Sequence, residues 1–241
     1  MPIDQTYIGQ ELTIFAHALN WKQYYTSFLR PYLGKQVVEV GAGIGATTLA
    51  ICDGTQDKWV CLEPDPRLRN QIDRLISDKK LPACCVTKDG FVSDLEAGDS
   101  FETFVYIDVL EHIEDDRAEL ESAATRLIPG GRLIVLSPAF NFLYSSFDKS
   151  IGHYRRYDKK MYRALTPQCC TLEKMIYLDS VGMTTSLINR LVLSQSMPTV
   201  DQIIFWDRRL IPITKWIDRL IYYSFGRSLL GIWKKNGNEK N

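Results

Sequence analysis

The feature that most constrains the fold is a glycine-rich stretch that directly follows a short apolar run. Residues 36–49 read QVVEVGAGIGATTL, with an acidic Glu39 between valines and then three glycines, Gly41, Gly43 and Gly45. The run predicts a buried strand, and the glycines allow a sharp turn into a helix and close approach of a ligand to the backbone. The stretch therefore predicts a nucleotide-type loop. Its spacing, with Ala46 in the last position, also fits the dinucleotide pattern G-x-G-x-x-G/A.

Strand and helix patterns alternate along residues 36–140 and predict a parallel, doubly wound sheet. We predict strands near 36–40, 59–62, 83–87, 104–107 and 132–137, and helices over 66–77 and 111–128. Ligands of such sheets bind beyond the carboxyl ends of the strands. Five positions that follow predicted strands fall at that edge: Gly41, Glu63, Asp89, Asp108 and Pro138.

The remaining chain predicts additions to this core within a single domain over residues 1–241. Apolar residues at helical spacing predict a helix over 11–30 that precedes the first strand. Residues 171–182 and 227–233 predict a sixth and a seventh strand. Between them, residues 183–226 predict an inserted helical cap, interrupted by Pro198 and Pro212. The cap has three interpretations: packing against the sheet, a substrate lid, or a surface for membranes or other chains.

Composition narrows the class of partner. The 29 Lys and Arg residues equal the 29 Asp and Glu residues, so the chain lacks the basic excess that drives nucleic-acid binding. The six cysteines include two adjacent pairs but no C-x-x-C spacing, a pattern that suits neither a disulfide framework nor a structural zinc site and predicts reduced thiols in a cytoplasmic protein. The sequence contains no run of about 18 uncharged apolar residues, so no transmembrane segment is predicted. We expect a small-molecule substrate, with peripheral membrane contact through the cap as an open alternative and the oligomeric state undetermined.

Four motifs in order resemble those of class I S-adenosylmethionine-dependent methyltransferases. They are VVEVGAGIG at 37–45, the acidic Glu63, YIDVLEHI at 106–113 and LIPGGRL at 127–133. A further block, FDKSIGHYRRY at 147–157, resembles a bacterial subgroup that often accompanies glycan or natural-product genes. The resemblance implies a Rossmann-like sheet of seven strands whose last strand is antiparallel, and S-adenosylmethionine as the cofactor.

The resemblance also implies roles at the cofactor. The three loop glycines pass under its methionine and ribose, and Glu63, followed by Pro64, holds both ribose hydroxyls. Asp89 and Gly90 flank the adenine, the segment from Asp108 runs beside the sulfonium, and Glu39 supports the amino end.

Methyl transfer to a hydroxyl requires alignment and a proton acceptor, and the chain has three histidines. His112 and His153 fall at the predicted ligand edge and are the candidate catalytic residues. Tyr154 and Arg155 are candidate substrate contacts, because a guanidinium can clamp a carboxylate or phosphate. The alternative is that His153 and the neighbouring arginines hold their loop to Asp148 or Asp158. Three aromatic residues of the first helix, Trp21, Tyr24 and Tyr25, are candidates for roofing the cofactor carboxylate, with core packing as their alternative.

A metal site is a further alternative. Asp108, Glu111 and His112 have D-x-x-E-H spacing, similar to the E-x-x-E-H of certain metal-dependent O-methyltransferases, with His153 as the fourth ligand for Mg²⁺ or Mn²⁺.

The sequence thus predicts a methyltransferase that acts on a hydroxyl or amine of a small, largely apolar, natural-product-like molecule. Three alternatives stay open: a methyltransferase on a lipid-linked glycan, peptide or protein, a dinucleotide oxidoreductase, and a non-catalytic binding protein with the cofactor fold.

Overall fold

The computed structural model describes residues 11–96, 98–188 and 197–237, and they form one seven-stranded sheet with helices on its faces. The strands are β1 Gln36–Val40, β2 Lys58–Leu62, β3 Cys85–Lys88, β4 Phe101–Ile107, β5 Leu127–Pro138, β6 Cys170–Leu178 and β7 Ser228–Lys235. Their order is β3-β2-β1-β4-β5-β7-β6, and β7 runs antiparallel to both neighbours. The predicted fold class, a Rossmann-like and mostly parallel sheet, is confirmed.

Ten helices accompany the sheet in the described ranges. They are α1 Glu11–Phe15, α2 Leu19–Leu29, α3 Ala46–Ile51, α4 Pro66–Ser77, α5 Asp116–Thr125, α6 Ser146–Ser150, α7 Lys159–Ala164, α8 Ser180–Ile188, α9 Val200–Phe205 and α10 Ile211–Leu220. No helix in these ranges is long and apolar enough to span a bilayer. The core strands are lined on both faces by buried apolar side chains, as expected where helices cover a parallel sheet.

The segment before β1 forms two helices where one was predicted over 11–30. The break lies between α1 and α2, and the carboxylate of Asp207 accounts for it. Its oxygens accept hydrogen bonds from the backbone amides of Asn20 (3.1 Å) and Trp21 (2.8 Å). Free amides at a helix start need such partners, so a cap from a distant residue sets where α2 begins.

The predicted helix over 111–128 also differs from the structure. Residues 110–112 form a single 3₁₀ turn, and α5 begins at Asp116 because the side chain of Asp115 accepts a hydrogen bond from the amide of Ala118 at 3.0 Å. Strand β5 starts at Leu127, five residues before the predicted start at Arg132, and its pairing with β4 is irregular there. Glu111 and His112 therefore lie in a turn at the sheet edge.

The predicted cap, residues 183–226, consists of helices in its described part. Strand β6 ends at Leu178 because Asp179 takes a left-handed backbone (φ +64°) that turns the chain into α8. Pro212 lies in the first turn of α10 and follows a π-helical turn over Trp206–Leu210, so it does not end a helix there. Residues 189–196, predicted as part of the cap, lie outside the described residues.

Buried carboxylates of the cap and of its hinge tie the cap to the core. Asp218 of α10 accepts hydrogen bonds from the amides of Asp179 (2.8 Å) and Ser180 (2.9 Å) and from the hydroxyl of Tyr24 (3.0 Å). The carboxylate of Asp179 in turn accepts hydrogen bonds from the indole of Trp206 and from the amide of Gly182. These bonds fix the distance between the cap and the sheet edge.

Candidate active site

The glycine loop lies between β1 and α3, at the carboxyl edge of the sheet. All three of its glycines have left-handed backbones, with φ +63° at Gly41, +57° at Gly43 and +77° at Gly45. A Cβ on Gly41 would lie 2.8 Å from a methyl group of Val109, so a side chain does not fit there. Leu12 of α1 packs over Gly43 and forms one wall above the loop. The loop therefore has the left-handed backbone that the sequence predicts for a ligand cradle.

Glu63 follows β2 and closes one side of this cradle. One of its carboxylate oxygens accepts a hydrogen bond from the amide of Gly43 at 2.7 Å, and the other accepts one from the amide of Asp65 at 3.0 Å. Burial raises the pKa of this carboxyl. Each oxygen keeps a second lone pair, so a fixed Glu63 can still accept hydrogen bonds from a diol. These residues fit a nucleoside ribose.

The other predicted cofactor residues after β2 and β3 lie beside the cradle. Pro64 separates Glu63 from Asp65, which caps α4 by accepting a hydrogen bond from the amide of Arg67 at 2.8 Å. Asp89 forms an ion pair with Arg69 at 2.5 Å, and Gly90 has φ +102°, a backbone that side chains rarely adopt. The structure thus brings these positions to one edge, on the same side as the glycine loop.

A cavity of about 650 Å³ opens at the carboxyl ends of β4 and β5, beneath the cap. Its wall is mostly apolar and includes Leu12, Phe15, Trp21, Leu143, Phe147, Ile151, Ile203, Phe205, Trp206 and Leu210. Charged and imidazole side chains of the β4, β5 and β7 end of the cavity also line it: Asp108, Glu111, His112, Asp148, His153, Arg156 and Arg227. An apolar chamber with a few converging polar groups is the usual form of a small-molecule site.

The carboxylate of Asp148 organises the polar side of this cavity. It accepts hydrogen bonds from Nδ1 of His153 (2.9 Å), from the guanidinium of Arg156 (2.8 and 3.0 Å) and from the amide and hydroxyl of Ser145 (2.8 and 3.0 Å). Burial alone would raise the pKa of Asp148, but the hydrogen bonds from His153 and Arg156 hold that pKa well below its ordinary range. Asp148 is therefore an ionised acceptor at neutral pH.

An ionised Asp148 fixes the tautomer of a neutral His153. Because the carboxylate can only accept, Nδ1 of His153 carries the proton, and Nε2 is left as the acceptor. Nε2 lies 3.8 Å from Oε1 of Glu111, and the ring of His153 meets that of His112 edge-on, with centroids 4.6 Å apart. The side chain of His153 is almost fully buried, and it lines the cavity.

The acidic groups next to His153 hold their protons more tightly than usual. Glu111 is fully buried, neither of its carboxylate oxygens has a hydrogen-bond partner among the described residues, and burial raises its pKa well above the ordinary value. Burial likewise raises the pKa of Asp108, which is enclosed by protein but opens to the cavity and has a left-handed backbone (φ +53°). Burial lowers the pKa of His112 to about 4, so this imidazole is neutral at physiological pH.

Three of the four candidate metal ligands come together. Donor atoms of Glu111, His112 and His153 all lie within 4.8 Å of one another, whereas Asp108 is not part of that group. Two imidazoles and one carboxylate suit a divalent ion. The unpartnered oxygens of Glu111 fit such an ion, but Nδ1 of His153 is already engaged by Asp148, so only Nε2 of that ring could be a ligand.

Besides the residues of the cofactor cradle, three further predicted site residues lie away from the cavity wall. The carboxylate of Glu39 is buried between β1 and α3, accepts hydrogen bonds from Thr48 (2.7 Å) and Trp59 (2.9 Å), and has a pKa raised to about 7 by burial. Tyr24 donates to Asp218, and Tyr25 lies 3.4 Å from the hydroxyl of Thr47, just behind the glycine loop.

The two candidate substrate contacts of the loop also point elsewhere. Tyr154 is half exposed, and Arg155 forms an ion pair with Asp116 at 2.7 Å and donates to the backbone of Glu114. By contrast, Arg156 points inward to Asp148. The interpretation in which His153 and an arginine hold the loop to Asp148 thus matches the observed contacts, and the ring of His153 faces the cavity as well.

Two charged residues, one on the cavity wall and one in α2, were not predicted as site residues. Arg227 precedes β7 and pairs with Asp179 at 3.2 Å, with its guanidinium over the ring of Trp206. Lys22 of α2 is buried, donates to the backbone of Phe15, and has a pKa lowered to about 8 by burial. No local motif marks these positions, because they come from chain segments that meet only in the folded structure.

Comparison with known proteins matches this architecture. Residues 38–133 match the family model described as a methyltransferase domain, a segment that includes the glycine loop, Glu63 and the turn with Glu111. No curated protein matches the chain. A putative methyltransferase of Haloferax volcanii, solved in complex with the Trm112 methyltransferase activator, has a TM-score of 0.64 at 14% identity, covering 96% of this chain and 97% of that chain. The fold is that of class I methyltransferases.

Two other solved structures share this fold. The N-methyltransferase NodS from Bradyrhizobium japonicum WM9, in complex with S-adenosyl-L-homocysteine, has a TM-score of 0.55 at 13% identity, covering 90% of this chain and 85% of that chain. The cyclase SpnF has a TM-score of 0.61 at 12% identity, covering 90% of this chain and 82% of that chain. A cyclase among the similar structures means that the function must be argued from the site.

The ionised state of Asp148 predicts a particular pH dependence of stability. A carboxyl whose pKa is lowered on folding adds stability above its unfolded pKa, about 3.9, and that stability is lost as the pH falls below this value. The substitution Asp148→Asn should lower the free energy of unfolding by about 3 kcal/mol near neutral pH, because Arg156 loses its charged partner. Urea unfolding at several pH values measures the difference between the two proteins.

The difference should be largest at pH 6 to 7 and should shrink below about pH 4. Asp201→Asn, which changes an exposed carboxylate on the cavity rim, is the control and should leave the pH dependence unchanged. A difference between wild type and Asp148→Asn that is independent of pH would contradict the assignment of Asp148 as an ionised, hydrogen-bonded group.

Proposed function

We propose that the chain transfers a methyl group from S-adenosylmethionine to a hydroxyl or amine of a small, largely apolar, natural-product-like molecule. The observation that carries this proposal is an apolar cavity next to the glycine loop with the Nε2 acceptor of His153 on its wall. The match of residues 38–133 to a methyltransferase domain supports it.

The cofactor is held by residues of the sheet edge. Glu63 accepts hydrogen bonds from the ribose hydroxyls, and the glycine loop passes under the methionine and ribose. Asp89 and Gly90 flank the adenine, and Pro64 orients the segment between. Glu39 acts from behind the loop through α3 and not by direct contact, since its carboxylate is already bonded to Thr48 and Trp59. Bound S-adenosylmethionine supplies a methyl group on a positively charged sulfur.

Asp108 gives the reaction site its charge. It stands at the end of β4, between the glycine loop and the cavity, and opens into the cavity. A carboxylate beside a sulfonium is stabilised by that positive charge, so cofactor binding favours the ionised form of Asp108 against the effect of burial. Asp108 thereby contributes to orienting the positive sulfur toward the acceptor side of the cavity.

His153 acts on the acceptor. As the new bond to the methyl carbon forms and the bond from that carbon to sulfur breaks, Nε2 takes the proton that the acceptor hydroxyl, or the newly methylated amine, loses, and Asp148 stabilises the resulting imidazolium through Nδ1. Arg156 keeps Asp148 ionised, His112 is neutral at physiological pH, and burial raises the pKa of Glu111 well above its ordinary value. The apolar wall opposite excludes water and holds the body of the acceptor.

The cofactor assignment predicts selective binding. In titration calorimetry the wild-type chain should bind S-adenosylmethionine, and Glu63→Ala should weaken this binding about 10- to 100-fold, because two hydrogen bonds to a charged group are lost. Glu173→Ala, which removes an exposed carboxylate of β6, is the matched control and should bind as wild type does. Binding of NADH without binding of S-adenosylmethionine would contradict the assignment and favour the oxidoreductase.

The catalytic assignment predicts a loss of turnover without a loss of cofactor. With an acceptor found by screening a compound panel, His153→Gln should lower kcat about 10²- to 10⁴-fold while the affinity for S-adenosylmethionine stays within about twofold. Tyr154→Phe changes the exposed neighbour and should keep wild-type activity. Equal activity of His153→Gln and wild type would reject the role of His153, and loss of activity on chelation would favour the metal site of Glu111, His112 and His153.

A second candidate is a methyltransferase on a lipid-linked acceptor. The outer face of α10 exposes Ile213 (51%), Trp216 (79%) and Leu220 (78%), which lie at helical spacing on one face. Cations flank this face at Arg209 and Arg219, whereas Asp207 and Asp218 of the same cap are buried. A face with aromatic, aliphatic and cationic residues suits the surface of an anionic bilayer.

Vesicle flotation separates the two candidates. If the acceptor is lipid-linked, we expect the chain to float with vesicles that contain anionic lipid. We also expect Trp216→Glu to reduce the floating fraction at least several-fold. Val200→Glu, at an exposed apolar position of α9, is the control and should float as wild type does. An absence of flotation would remove this candidate and leave the small-molecule acceptor.

A further inference from the structure

A cluster of three thiols lies at the amino edge of the sheet, on the side opposite the candidate active site. Cys52 follows the end of α3, Cys84 lies in the turn before β3, and Cys85 is the first residue of β3. The Sγ atom of Cys52 is 3.7 Å from that of Cys84 and 3.5 Å from that of Cys85. All three are free thiols whose sulfur atoms lie within 4.8 Å of one another.

The side chain of Gln56 offers a fourth possible donor atom, next to Cys52. The amide oxygen of Gln56 lies 3.5 Å from Sγ of Cys52, and the side chain is buried. The amide nitrogen of Gln56 points away and donates to the hydroxyl of Thr55 at 3.1 Å. This bond fixes the orientation of the amide, so the oxygen and not the nitrogen is presented to the sulfur atoms.

We propose that Cys52, Cys84, Cys85 and the amide oxygen of Gln56 form a binding site for one Zn²⁺ ion. A tetrahedral zinc with Zn–S bonds of about 2.3 Å and a Zn–O bond of about 2.1 Å requires about 3.8 Å between sulfur atoms and about 3.6 Å between sulfur and oxygen. The observed distances from Cys52 are 3.7 and 3.5 Å to sulfur and 3.5 Å to oxygen. The distances from Cys52 therefore lie within a few tenths of an ångström of the tetrahedral values.

The place of the cluster in the fold indicates a structural ion. The ligands come from the end of α3 and from the start of β3, two segments separated by α4 and β2. An ion held by both would fasten the end of the first crossover helix to the edge strand of the sheet. Four protein ligands leave no open position for a substrate, which is typical of structural zinc sites. Cys84 is only partly buried, so the site has an entry path from solvent.

The other adjacent pair of cysteines provides an internal comparison. Sγ of Cys169 lies 3.9 Å from Sγ of Cys170, but no third donor joins this pair in the described part of the chain. Vicinal cysteines alone therefore do not create such a cluster. It is Cys52, brought in by α3, that completes it.

Cobalt titration of the reduced chain under anaerobic conditions tests the proposal. Thiolate-bound Co²⁺ gives a sulfur-to-metal charge-transfer band, and the candidate site of Glu111, His112 and His153 gives none because it contains no sulfur. We expect one equivalent of Co²⁺ with this band per chain, displaced by Zn²⁺, absent in Cys52→Ser and retained in Cys170→Ser. Binding should also raise the melting temperature of wild type, and a chelator should reverse this rise.

A second measurement covers variants that fail to fold. In the wild-type chain, bound Zn²⁺ should protect Cys52, Cys84 and Cys85 from an alkylating reagent while Cys169 reacts as it does without metal. The proposal is overturned if folded, reduced wild type shows no sulfur-to-cobalt band, if folded Cys52→Ser retains the band, or if Zn²⁺ leaves the alkylation of all three thiols unchanged.

Discussion

The polar side of the cavity depends on one buried ionised carboxylate. Asp148 lies in α6, and its burial would be strongly unfavourable without partners, because a buried charge requires compensation by hydrogen bonds and opposite charge. Five hydrogen bonds from Ser145, His153 and Arg156 compensate the charge of Asp148. The same bonds determine the path of the loop between them. The requirement to compensate one charge therefore also positions the imidazole that faces the cavity.

A second group of buried carboxylates creates the cavity itself. Asp207, a residue of the cap, accepts a hydrogen bond from a backbone amide at the start of α2. Asp179 and Asp218 join the end of β6 to α8 and α10. These contacts involve backbone amides, which hold their positions more firmly than mobile side chains do. As a result the cap stands over the carboxyl ends of β4 and β5 at a fixed height, and the space beneath it stays open for a ligand. Under the proposed function, substrate selection resides in the cap and cofactor binding in the sheet edge.

The core of the fold could be predicted from the sequence because its signals are local. A buried parallel strand is a short apolar run, and a turn to a left-handed backbone requires glycine, so β1 and the loop after it are visible within a dozen residues. The same applies to the acidic residue after β2 and to the proline that begins α4. Each of these features depends on its immediate neighbours in the chain.

The features that could not be predicted depend on distant residues. The break before α2 is set by Asp207, and the turn that contains Glu111 and His112 reads as helix in sequence because its apolar spacing is helical. The side chain of Arg156 points inward because it pairs with Asp148, and that of Arg155 points outward because it pairs with Asp116. A sequence pattern cannot assign these partners. The thiol cluster likewise has no sequence motif, because its ligands meet only when α3 packs beside β3.

A crystal structure with S-adenosylhomocysteine bound tests the account most directly. The account predicts that the ribose hydroxyls contact Glu63, that the methionine end lies over the glycine loop, and that the sulfur faces the cavity between Asp108 and His153. The product should leave the apolar chamber under the cap free for the acceptor. A molecule bound inside that chamber, or one whose sulfur faces away from His153, would contradict the separation of cofactor and acceptor sites on which the proposed methyl transfer rests.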